Sequence, residues 1–198
     1  MAKKLPRSFY ERDDVVKISR ELIGKRLCTV IDGVKTSGMI VETEAYNGRT
    51  DAACHAYPEV RTKRTETLYG PPGYSYIYLC YGIHHLFNVV TNREGLADAI
   101  LIRAIEPDEG TSYMLERRNR DMLKPVISNG PGKLSQALGL TTELDQTDLL
   151  GDTIWIEQGE KGAGMDIEAS PRIGVEYAGE DAKLPWRFTL KGSKWVSK

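Results

Sequence analysis

At 198 residues, with 40% hydrophobic and 28% charged side chains, the chain has the makings of one globular domain whose core needs no disulfide or metal. No run approaches the roughly 18 apolar residues of a membrane span, and Met1 to Pro6 has no apolar stretch behind its lysines, which excludes a signal peptide. A net charge of −1 argues against a polyanionic partner, but the charges are unevenly spread. Between Thr141 and Ala169 stand eight acids and one base, Lys161, so the remainder is positive. Basic clusters fall at Lys3-Lys4-Arg7, Arg61-Lys63-Arg64, Arg117-Arg118-Arg120 and Lys191-Lys194-Lys198. An acidic back and a basic front fit a DNA binder, and scattered Lys and Arg fit any solvated surface equally. Cys28, Cys54 and Cys80 are odd in number and form no C-x-x-C pair, which points to reduced thiols and the cytosol.

In chain order, Asp13 or Asp14 caps a helix carrying Val15, Val16, Ile18, Leu22 and Ile23, and Gly24 closes it. Leu27–Ile31 reads as a strand, turned at Asp32-Gly33 into a second strand over Gly38–Tyr46. Two strands ahead of any crossover helix favour an antiparallel sheet. Period-two alternation puts Ile40, Glu42, Glu44 and Tyr46 on one face, an acid beside a flat aromatic surface.

Asn47 to Arg64 lacks periodicity and reads as a long ordered loop, with a helical turn near Ala52-Ala53. Five of the ten tyrosines lie between Tyr69 and Tyr81, four of them after the break at Gly70-Pro71-Pro72-Gly73. Tyr74, Tyr76 and Tyr78 alternate onto one face; Ile77 and Leu79 take the other. A tyrosine ladder is also common sheet packing. Gly82 turns this strand into a return strand, Ile83–Thr91, with Tyr81 at the tip.

Ala99–Ile105 is an apolar strand interrupted by Arg103, which requires an anionic or planar partner. Pro107–Arg120 reads as helix, as does Leu134–Leu138 after Asn129-Gly130-Pro131-Gly132-Lys133. Amides at that helix start can hold a phosphate, although the spacing is not that of a nucleotide P-loop. Ile154–Ile156, Arg172–Val175 and Arg187–Leu190 complete the set as short strands.

The blocks Val41-Glu42-Thr43-Glu44-Ala45-Tyr46 and Tyr76-Ile77-Tyr78 with Tyr81-Gly82 resemble the alkyladenine (3-methyladenine) DNA glycosylases. The resemblance extends in order through Ala52-Ala53 with His55, Phe87-Asn88-Val89, Leu101–Pro107, Gly130–Leu134 and Arg187-Phe188 to Trp195-Val196-Ser197. It implies one α+β domain over residues 1–198, a curved mainly antiparallel sheet flanked by helices. It implies a monofunctional, cytoplasmic, bacterial-type glycosylase that works as a monomer, without cofactor or metal, on double-stranded DNA containing damaged purines. Glu44 matches the acid that activates water, and Arg103 the arginine beside it. Tyr46, His55 and Tyr78 match residues enclosing a flipped base, and Asn88 one that crowds the amino group of normal guanine. Tyr81 matches the tyrosine that fills the vacated space in the minor groove, with Ile83 beside it; the charge of Arg61, Lys63 and Arg64 in the long loop makes them the expected basic contacts. Departures are Leu86 for a common cysteine, Ile83 for a larger side chain and Thr65 for asparagine.

The residue types suit that chemistry. A base must leave the stack before its glycosidic bond is reachable, and aromatic faces then hold different purines alike. A carboxylate both takes a proton from water and stabilises an oxocarbenium-like sugar. Two alternatives remain open on the residues alone. One is a metal hydrolase built from Cys54, His55, Cys80, His84 and His85, which lack zinc spacing. The other is a catalytically silent nucleic-acid binder on the same fold.

Overall fold

In the computed structural model, which describes residues 3–159 and 164–197, a short helix α1 (Arg7–Tyr10) precedes α2 (Val15–Leu22). Asp14 caps α2 by accepting from the Lys17 N–H at 2.9 Å, satisfying one of the donors a helix start leaves free. Val15, Ile18 and Leu22 bury the apolar stripe of α2, and Gly24 at φ 84° turns the chain out of it, a conformation a side chain would resist.

Strand β1 (Arg26–Ile31) then turns at Asp32-Gly33 into β2 (Val34–Asn47), and both turn residues take positive φ, as a tight hairpin requires. The tyrosine segment forms β3 (Ser75–Cys80) and β4 (His84–Thr91), followed by β5 (Asp98–Glu109). Helices α3 (Thr111–Arg117) and α4 (Pro131–Leu138) come next, then β6 (Ile154–Glu157), β7 (Ile167–Ser170) and β8 (Arg187–Leu190). Every pairing is antiparallel, in the order β3-β4-β5-β2-β1-β6, with β8 pairing both β2 and β7. The fold is α+β, a curled antiparallel sheet with several helices.

Strand β2 is the spine. Along one edge it pairs with β5 from Ser37 to Asn47. Along the other it pairs with β1 from Val34 to Met39 and with β8 from Glu42 to Glu44. The main apolar core includes Ile18, Leu22, Ile40, Phe87, Ile100, Ile102, Ile105 and Leu134, so α2, α4 and the strands β2, β4 and β5 share it. Burial of that many branched side chains is what holds the spine rigid under the site.

The structure corrects several expectations. Register shifts at Ile40/Glu42 and Glu42/Thr43 interrupt strict alternation, so Ile40 belongs to the main core while Glu42 and Glu44 meet Arg103. Residues 107–109 are strand rather than helix: Pro107 sits next to the register shift at Ser37/Gly38, where a missing N–H is tolerated. No helix forms at Ala52-Ala53; the loop runs through turns. Residues 172–175 are not a strand, because the Ile173 N–H is committed to a carboxylate rather than to a ladder. The strand of that region is β7. The acidic segment is only partly a solvated back. Asp148 pairs with Arg7, Asp152 with Lys4, Glu157 with Arg26 and Asp166 with Lys191, which engages Lys4 and Arg7 of one basic cluster and Lys191 of another. Lys161 and Lys198 lie outside the described residues. Among those described, no helix is long and apolar enough to cross a membrane.

Candidate active site

Where β8 takes over from β1 as the neighbour of β2, two carboxylates meet two guanidinium groups. Glu44 is completely buried, and three donors fix it. The Tyr46 hydroxyl donates to Oε2 at 2.8 Å, Arg103 Nη1 donates to the same oxygen at 3.2 Å, and the Ile173 N–H donates to Oε1 at 2.8 Å. Burial works against the charge of Arg103, but Glu44 and Glu42 outweigh it and raise the arginine above its ordinary value. Tyr46 is held well above the usual phenol range by burial and by the adjacent Glu44. Its hydroxyl is therefore a donor at any working pH. Arg172 lies over the Tyr46 ring, its guanidinium 4.8 Å from the centroid while bonding Asp51 at 2.5 and 2.7 Å.

Tyr46 and Arg103, the two groups on Oε2, form part of the wall of a cavity of about 450 Å³. That is room for a bound purine-sized group. His55, Tyr76, Tyr78, Leu86, Asn88 and Tyr177 also line it. Tyr76 and Tyr78 stack at 5.4 Å and 30°, and His55 stands edge-on to Tyr78 at 4.7 Å. Asn88 is held in one orientation by donating to the carbonyls of Tyr76 and Leu86.

The protonation of His55 follows from its partners. Arg64 can only donate, so His55 Nε2, 3.3 Å from Arg64 Nη2, is the nitrogen with the lone pair. Nδ1 then carries the hydrogen and faces the Tyr76 hydroxyl at 3.1 Å. Burial, and secondarily the Arg64 charge, lower the imidazole to about 4, consistent with this neutral tautomer.

The other expected contacts divide. Tyr81 is 92% exposed at the β3–β4 tip, and it reaches the cavity mouth. With Gly82 it forms a turn whose central residues both have positive φ, closed by the Ile83 N–H donating to Cys80 O at 3.2 Å. A tyrosine at φ 52° is strained, and such strain gathers at functional positions. Ile83 is exposed beside it but does not line the cavity. Arg64 lies at the rim, 5.4 Å from the Tyr78 ring. Arg61 is instead forked onto Glu66, and Lys63 is exposed away from the cavity lining. Thr65 is buried in the loop, donating to Val60 O, and Tyr74 sits under Arg7 rather than in the cavity. The five residues of the metal alternative are dispersed: His85 Nδ1 accepts from the Thr142 N–H, on the far side of the hairpin from His55. Among the described residues, no three His, Cys, Asp or Glu side chains converge on one point.

Residues 8–194 match the family described as methylpurine-DNA glycosylase (MPG). The chain belongs to this family. A relative from Clostridium acetobutylicum is 44% identical over 98% of this chain and 97% of its own length. One from Chlamydia felis is 48% identical over 96% and 97%. Both carry the name "Putative 3-methyladenine DNA glycosylase". The chain is thus a DNA N-glycosylase, a hydrolase, with DNA as its substrate.

Sequence reasoning did not find every group around this glycosylase site. Arg172, Tyr177 and the Ile173 N–H come from a segment without periodicity. The one available signal was Arg172 itself, an arginine followed by Ile-Gly-Val. Glu42 was legible as a second carboxylate, but not its fastening to Arg187 and Ser197.

Proposed function

We propose that the glycosylase extrudes a methylated or deaminated purine from duplex DNA and hydrolyses its N-glycosidic bond with a water activated by Glu44, leaving an abasic site. The observation that carries this reading is the convergence of Tyr46 and Arg103 on Glu44 Oε2, with both partners exposed to an aromatic cavity.

The base enters between Tyr46 on one side and His55 and Tyr78 on the other. Aromatic stacking is worth about 1–3 kcal/mol per base and is indifferent to the exact purine. Asn88, anchored through its own amide, narrows the floor against an extra exocyclic group. Glu44 accepts a proton from water as the base departs, and its carboxylate faces the positive charge that grows on the sugar. Alkylated purines are already cationic and leave without a proton donor. Tyr81 occupies the gap left in the stack and delays the return of the base.

The test is Glu44→Gln assayed on a duplex carrying one lesion, with alkali cleavage of abasic sites as the readout. Excision is expected to be nearly abolished while lesion-DNA binding persists. Single-turnover excision within about tenfold of wild type, a difference of about 1.4 kcal/mol, refutes Glu44 as the base.

A further inference from the structure

Glu42 is completely buried and does not line the cavity, yet four donors hold it. Oε1 accepts from Arg103 Nε at 3.0 Å, Arg187 Nε at 2.7 Å and Ser197 Oγ at 2.7 Å. Oε2 accepts from the Ser197 N–H at 2.7 Å. We infer that Glu42, clamped by Ser197 and Arg187, is a positioning residue that aims Arg103 at the Glu44–Tyr46 pair. The inference rests on Glu44 being the base.

Arginine pairs most strongly with a carboxylate through two parallel N–H bonds. Left with Glu44 alone, Arg103 would swing to take both of its oxygens and compete with the Ile173 N–H and the Tyr46 hydroxyl. In the structure that is prevented, because the Nε edge of Arg103 is spent on Glu42. Only Nη1 reaches Glu44, at 3.2 Å, and Nη2 faces Ser197 Oγ at 3.4 Å. Arg103 thereby places one bond on Glu44, not two. Glu42 is ill suited to be a second general acid or base, since four donors occupy its two oxygens.

The charges also close. Glu42 and Glu44 balance Arg103 and Arg187, so a buried group of four carries no net charge. Glu42→Gln upsets both functions at once: the amide NH2 must face a donor in either orientation, and one positive charge is left over. Its loss of activity alone would not separate aiming from charge balance. Glu42→Gln combined with Arg187→Gln does separate them, because the remaining Glu44 and Arg103 again balance.

The experiment measures three quantities for wild type, Glu42→Gln, Glu42→Gln/Arg187→Gln and Ser197→Ala. These are single-turnover excision from a duplex bearing one methylated purine, Kd for the same duplex and thermal melting. Misaiming by a group outside the cavity costs about 100-fold in rate. The double variant is expected to melt closer to wild type than Glu42→Gln does, to bind lesion DNA with unchanged Kd, and still to excise about 100-fold slowly. Ser197→Ala, which removes one buried hydroxyl and no charge, is expected to be folded and several-fold slower at unchanged Kd. Recovery of the wild-type rate in the double variant, or a wild-type rate in Ser197→Ala and Glu42→Gln alike, overturns the proposal. Either result beside an inactive Glu44→Gln leaves the base assignment standing, whereas an active Glu44→Gln removes that assignment itself.

Discussion

The Ile173 N–H donates to Glu44 Oε1 at 2.8 Å across 129 residues of sequence. The candidate base is therefore tied to a segment that belongs to no strand or helix, and Arg172 holds that segment in place. Arg172 is wholly buried, bonds both oxygens of Asp51, donates to the carbonyls of Ala45 and Asp181, and lies between the rings of Tyr46 and Trp186. Arg172→Met would leave Asp51 as an uncompensated buried charge. A destabilisation of about 3–5 kcal/mol is expected, read by urea denaturation with an unchanged slope. A variant within about 1 kcal/mol of wild type would mean that solvent reaches Asp51.

Tyr81 is expected to matter for catalysis and not for folding. Tyr81→Gly relieves a positive φ and removes a side chain that is 92% exposed, so no core cavity forms. The melting temperature should stay close to wild type while excision from duplex DNA falls. A 2-aminopurine beside the lesion should report less unstacking. A strongly destabilised variant with an undiminished fluorescence change would make Tyr81 a packing residue.

His55 gives a pH prediction with a definite sign. Burial, then Arg64, lowers the imidazole from 6.5 to about 4, so the folded site refuses a proton that the unfolded chain accepts. The contribution of this group to stability is complete above 6.5 and declines as pH falls from 6.5 toward about 4. A nitrogen-detected NMR titration should find His55 neutral at pH 6, with hydrogen on Nδ1. Arg64→Ala should raise the midpoint only in part, because burial is the larger cause. A midpoint near 6.5 in wild type would contradict the enclosed tautomer.

The three basic residues of the long loop should separate in a salt titration of DNA binding. Arg61 already forks onto Glu66, whereas Lys63 is exposed and appears in no ion pair described. Lys63→Ala should flatten the dependence of log K on log salt by about one unit, as the loss of a phosphate contact does. Arg61→Ala should change it less. Equal slopes for both variants and wild type would assign this loop to the ordinary surface.

Legibility in the sequence varied with the kind of signal. Local periodicity and turn chemistry were enough for α2, the Asp32-Gly33 hairpin and the tyrosine hairpin, because each is decided by residues close in sequence. Arg103 announced that it needed an anion, and Glu42 and Glu44 supplied it. Residues 107–109 misled because a proline followed by polar residues looks like a helix start, and only pairing with a shifted β2 makes it strand. Residues 172–175 misled because β-branched composition implies a ladder, whereas their backbone partner is a side chain on another element. The motif resemblance supplied Glu44, Tyr46, His55, Tyr78 and Asn88 as a set. It did not reach Arg172 and gave Ser197, inside a matched block, no role; both roles are visible only once distant segments are folded together.

The handover of β2 from β1 to β8 has a consequence for the order of assembly. The first hairpin can close as soon as residue 39 pairs with residue 26, a local event. The half of β2 that carries Glu42 and Glu44 gains its second neighbour only when Thr189, Phe188 and Arg187 arrive, across a loop of 145 residues between Glu42 and Arg187. Long loops close late in folding. A nascent or partly opened chain would thus hold the first hairpin while Glu44, the candidate base, still lacked the surroundings that fix it. Pulsed hydrogen exchange should show protection at Thr29 before Phe188, so a half-made copy on DNA would lack the candidate base in working order.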